Sequence, residues 1–168
     1  VTVQADKASY VGSNAFSGTT GLKTVNFQNN TVLQTLSANA FLSSGITSLD
    51  LSKATKLMSI GQGAFQGTAS LSTITLPSSV TTIRNNAFQG SGLESLDLSQ
   101  TQVTTIGQGA FANTTSLTTL KVPSTLATLS SGSGTNTNNV QATFYGSGIT
   151  ELDLSQTKIT TIAESTFN

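Results

Sequence analysis

The sequence predicts a β-rich solenoid, one domain over residues 1–168, built of about seven coils of ~23 residues with a parallel β-sheet and little or no α-helix. Three observations carry this. Seven of the eight phenylalanines recur at intervals of 25, 24, 23, 23, 33 and 23 residues, each directly after Ala or Thr. Between them an apolar skeleton of the form L-x-x-L-x-L repeats in register. The remaining residues are mostly Ser, Thr, Gly, Asn and Gln, and Ser, Asn and Gly in particular form helices poorly and favour turns.

The markers are Phe16, Phe41, Phe65, Phe88, Phe111, Phe144 and Phe167. Val1 and Val3 fit the last two apolar positions of a first skeleton, and Val11 fits the segment after it. The later skeletons are Leu22/Val25/Phe27, Ile46/Leu49/Leu51, Leu71/Ile74/Leu76, Leu93/Leu96/Leu98, Leu117/Leu120/Val122 and Ile149/Leu152/Leu154. Each ends in period-two alternation, the signal of a short strand with one buried face. An apolar pair three apart follows, as in Leu33/Leu36, Leu57/Ile60, Val80/Ile83, Val103/Ile106, Leu126/Leu129 and Ile159/Ile162. That pair predicts a second extended segment before the Phe corner. A lone coil orders more backbone than its few apolar side chains offset, so coils must stack on like neighbours and pair their strands in a parallel ladder.

Two classes of coil alternate. One contains Ser-Gly before the skeleton and Asp-Leu-Ser at its end, at Ser44 to Ser52, Ser91 to Ser99 and Ser147 to Ser155; the other includes Leu76-Pro77 and Val122-Pro123, the chain's two prolines. Pro withholds a ladder donor, so its place predicts a strand terminus. The 33-residue interval contains Ser130 to Asn139, composed like a flexible linker, and predicts an exposed loop over residues 130–139. Both ends interrupt the repeat, so the sequence is expected to be an excerpt from a longer array.

The pattern A-F-x-G-x-x-x-L-x-x-I-x-L-P-x-x-V-x-x-I, read from Ala64 to Ile83 and more loosely from Ala110 to Leu129, resembles the leucine-rich repeats of the BspA-like, or Treponema pallidum, type. The resemblance covers nearly the whole chain. It implies a leucine-rich repeat array and an extracellular, cell-surface binding module, because such repeats occur in large surface proteins associated with adhesion to host, matrix or microbial partners. The family often has Cys three residues after Phe, where this chain has Thr19, Thr68 and Thr114.

Composition excludes much chemistry. Seven Lys+Arg balance seven Asp+Glu, so the electrostatic footprint of a nucleic-acid or anionic-membrane binder is missing. Without His or Cys there is no His-assisted nucleophile, thiolate, Cys/His zinc site or disulfide. No apolar run approaches bilayer-spanning length, and residues 1–12 do not read as a signal peptide. No catalytic residue, metal or cofactor is therefore expected.

In a leucine-rich repeat the parallel strands line the concave face, with their non-core residues in outward columns. The central column runs Asn26, Asp50, Thr75, Asp97, Lys121, Asp153, with Glu151 in a neighbouring one. Asp50, Thr75, Asp97, Lys121, Glu151 and Asp153 are thus the candidate ligand-binding residues. Alternate coils of a parallel ladder stand roughly 9 to 10 Å apart, too far for two of the Asp carboxylates to share one Ca²⁺. A glycosidase pair is disfavoured because nothing on an open ladder desolvates one carboxyl. The bland reading is a solvated face in which Lys121 offsets Asp97 and Asp153.

Asn29-Asn30-Thr31 and Asn113-Thr114-Thr115 match the glycosylation pattern by chance in so Thr-rich a chain, and the Gly-Gln-Gly runs at 61–63 and 107–109 read as turns. Tyr145 stands out as an exposed aromatic anchor. The expected function is non-enzymatic adhesion to a host, matrix or microbial protein or glycan; the alternative is a structural spacer that displays another domain.

Overall fold

Strand formation follows the period-two stretches. The computed structural model describes residues 2–130, 142–163 and 166–167. The x-L-x end of each skeleton forms a three-residue strand: β1 (Thr2–Gln4), β3 (Thr24–Asn26), β5 (Ser48–Asp50), β7 (Thr73–Thr75), β9 (Ser95–Asp97) and β11 (Thr119–Lys121). The second apolar segment of each coil forms a two-residue strand: β2 (Tyr10–Val11), β4 (Thr35–Leu36), β6 (Ser59–Ile60), β8 (Thr82–Ile83), β10 (Thr105–Ile106) and β12 (Thr128–Leu129). All pairing is parallel. Six coils carry both strands; the seventh, which ends at Phe167, has no strand among its described residues.

Leu, Ile, Val and Phe from the six strand-bearing coils point inward and form one core, against which Ile149, Leu152, Leu154 and Ile159 of the seventh pack, while Ile162 and Phe167 at that end are exposed. The Phe rings stack through it as a column, with successive centroids 4.9, 5.4, 5.3, 5.5, 5.7 and 5.2 Å apart and planes within 15° of parallel. Each such pair adds about 0.5 to 1.5 kcal/mol beyond its buried area. The backbone follows the same column. Phe41 N donates to Ala64 O, Phe65 N to Ala87 O, Phe88 N to Ala110 O and Phe111 N to Thr143 O. Two residues before the marker, Asn14, Asn39 and Asn86 turn the chain with φ of 57 to 58°, a left-handed conformation that Asn tolerates better than most residues.

The sheets differ from the expectation of one continuous ladder on the skeleton side. The continuous sheet is the six-stranded one made by the second segments, in the order β12-β10-β8-β6-β4-β2. The skeleton strands form three separate pairs, β1-β3, β5-β7 and β9-β11. The cause lies at the corner. Coils with Leu22, Leu71 and Leu117 have five residues between Phe and the skeleton, whereas those with Ile46, Leu93 and Ile149 have four. On each long-to-short step the glycine of Ser-Gly lies against the long coil's backbone: Gly45, Gly92 and Gly148 donate to the carbonyls of Thr19, Thr68 and Thr114. A Cβ on any of them would collide with the carbonyl of Thr20, Ala69 or Thr115. The skeleton ladder opens at this step and closes at the next.

Pro77 and Pro123 fall where expected, two residues beyond the ends of β7 and β11. The loop expected over residues 130–139 lies outside the described residues, apart from Ser130.

Candidate functional site

The central column is organised by turn chemistry. Where the skeleton ends in Asp or Asn, the amide two residues on donates back to that side chain: Gln28 N to Asn26 Oδ1 at 2.9 Å, Ser52 N to Asp50 Oδ1 at 2.9 Å, Ser99 N to Asp97 Oδ1 at 2.8 Å, and Ser155 N to Asp153 Oδ1 at 2.8 Å. These are Asx-turns. Of the other three coils, the first ends its strand at Gln4, and the remaining two have Pro77 and Pro123 at that following position. Proline has no N–H to donate, so an Asp there would have no amide to accept from, and the column holds Thr75 and Lys121 instead. The two coil classes read from the sequence are thus two ways of ending the same strand.

All six candidate residues are exposed. The register places Asp50 opposite Thr75 and Asp97 opposite Lys121. Lys121 Nζ lies 3.6 Å from Asp97 Oδ2, the ion pair found among the described residues. With 65% and 54% of these side chains exposed, the pair is worth at most about 1 kcal/mol. Lys121 was expected to offset Asp153 as well. No such pair forms among the described residues, because β11 faces the seventh coil across an open step.

The turn amides also set the carboxylates' protonation. Hydrogen bonds from Ser99 hold the Asp97 carboxyl below its ordinary range, with a smaller contribution from the Lys121 charge. The Ser155 amide does the same for Asp153. Folding therefore favours the charged forms. That contribution is present above the ordinary carboxylate pKa and is lost as pH falls through the lowered values. Among the described residues no group of three or more acidic side chains converges on one point.

A shallow depression of about 200 Å³ lies at the open step between β3 and β5, lined by Val25, Asn26, Phe27, Ser48 and Asp50 among others. There the column adjoins a cavity. Chemically the column offers a row of hydroxyls, carboxylates and one ammonium, suited to hydrogen-bonding an extended ligand.

Tyr145 is exposed as expected, at 45%, but Tyr10 is more so, at 59%. Tyr10 begins β2 at one edge of the six-stranded sheet. The alternation Tyr-Val at 10–11 carried that signal, since the residue before an inward Val points outward. The Asx-turns were legible as the triplet Asp-Leu-Ser but require the strand end to be placed before they mean anything.

The chain belongs to the BspA-type leucine-rich repeat family: the model of that repeat region matches residues 2–59 and 34–142, in six copies. The fold is similar to that of a leucine-rich repeat protein from Bacteroides ovatus, with a TM-score of 0.61 and 22% identity, over 77% of this chain and 35% of that one. Weaker similarity reaches a leucine-rich cell surface protein from Faecalibacterium prausnitzii, with a TM-score of 0.46 and 28% identity over 78% of this chain and 41% of that one. It also reaches the pneumococcal vaccine antigen PcpA, with a TM-score of 0.46 and 16% identity over 76% and 51%. The chain thus spans about a third to a half of the length of these proteins. No curated protein matches the sequence. Among the described residues no helix is long and apolar enough to cross a membrane.

Proposed function

We propose that this array is a non-enzymatic binding module of a cell-surface protein, which holds a host, matrix or microbial protein or glycan against its skeleton-strand face. The observation that carries this reading is the exposed polar column, presented once per coil, with Asp50, Thr75, Asp97, Lys121 and Asp153 all facing solvent. Adhesion, extracellular location and the absence of enzymatic activity also follow the family resemblance. The carboxylates support it too: those of Asp97 and Asp153 are held charged, the reverse of what a general acid requires. Many weak contacts repeated along a solenoid gain strength through avidity.

The test replaces Asp50, Asp97 and Asp153 by Asn and Lys121 by Gln together. Asn keeps the Oδ1 that accepts the turn amide, as Asn26 does naturally, so the fold survives while the charge pattern goes. Binding to a panel of immobilised matrix proteins and mucins falls at least tenfold if this face holds the ligand. Unchanged binding would remove the column from the interface, and absence of binding by the parent chain would favour the spacer.

A further inference from the structure

A second surface, on the six-stranded sheet, has chemistry of its own. Three adjoining depressions lie along it, of about 640, 480 and 220 Å³. The first two share Gln34, Thr35 and Met58; the second and third share Gln62 and Arg84. Together they make one trough that crosses the coils from β4 to β12, since Ser130 directly after β12 lines its far end. Lys56 and Arg84 line it, and among the described residues no Asp or Glu does. In a chain of zero net charge this is a segregation: of the column's acidic side chains, Asp50 and Asp97 stand on skeleton strands and Asp153 at the matching position of the seventh coil.

The rest of the lining mixes amides and hydroxyls, notably Gln34, Gln62, Asn85 and Ser59, with the apolar Leu36, Ala38, Met58 and Ile83. Met58 is 59% exposed in the trough, and the equally exposed Tyr10 stands one strand beyond its β4 end, on β2, with its backbone opposite Thr35, which lines the trough. The strands beneath bond to each other from β2 to β12, so an occupant lying across this face cannot add to the ladder and is recognised by side chains alone. Amides and hydroxyls match a polyol, an exposed aromatic edge offers a stacking face, and two cations without carboxylate neighbours select negative charge.

We infer that this trough binds an anionic polysaccharide, a sugar chain bearing carboxylate or sulfate groups. The inference is independent of the Asp column, which lies on other strands. Isothermal titration of the 168-residue chain with polygalacturonate, dextran sulfate and neutral dextran tests it. Binding to at least one of the two anionic chains and not to dextran is expected, with at least a tenfold loss in the double variant Lys56→Gln, Arg84→Gln. Both residues are exposed, so the variant melts as the parent does. The pair Asp97→Asn, Lys121→Gln leaves this binding unchanged while testing the column. Failure to bind either anionic chain, equal binding by the Lys56/Arg84 variant, or binding of poly-L-glutamate as tight as that of the sugars would overturn it.

Discussion

Three residues after each of the first six Phe markers stands a small hydroxyl whose role depends on one methyl group. Thr68 Oγ1 donates to Phe65 O at 2.7 Å and Thr114 Oγ1 to Phe111 O at 2.6 Å, and both residues are fully buried. In the short coils the same position is Ser44 or Ser91, whose buried Oγ atoms have no hydrogen-bond partner. A buried hydroxyl without a partner costs about 1 to 3 kcal/mol, whereas a satisfied one contributes about 1 kcal/mol. Thr68→Val is therefore expected to lower stability by about 1 kcal/mol, and Ser91→Ala to leave it unchanged or raise it, as read by urea unfolding. The reverse order would contradict this account. The sequence shows Thr at the position where related repeats often have Cys, but not its hydrogen bond, because a bond to the carbonyl three residues back exists only once the corner has turned.

The coil pair is the element from which the array is built. Its alternation was legible in Ser-Gly against Pro, and so was the strand-ending place of Pro77 and Pro123. The open step was not legible. It comes from the single residue by which the two corner lengths differ, and its effect on the ladder appears only when one coil lies on the next. The glycines separate the two causes of glycine usage. Gly92→Ala forces a methyl onto the Ala69 carbonyl and is expected to destabilise by more than about 2 kcal/mol, in the range of overpacking. Gly21→Ala meets nothing within 4 Å and should be neutral or stabilising by about 0.4 to 1 kcal/mol, through loss of unfolded-state freedom. Thermal melting of the two variants checks this. Equal melting temperatures would place the open step elsewhere.

Across the whole molecule, three sets of contacts run coil to coil: the Phe column, the corner amides that follow it, and the six-stranded ladder. The column and the parallel pairing could be read from spacing alone, since apolar residues repeated in register have no other way to be buried together. The trough could not, because Lys56 and Arg84 are unremarkable until the second segments are known to form the continuous sheet. Phe88 lies midway in the column, fully buried between Phe65 and Phe111, so its removal leaves a void that neighbouring coils cannot fill. The most direct measurement is urea unfolding of Phe88→Ala beside Ser70→Ala, an exposed turn residue. The Phe88 variant should lose about 3 to 5 kcal/mol and the Ser70 variant less than about 0.5 kcal/mol; coincident unfolding curves for the two would contradict the stacked core.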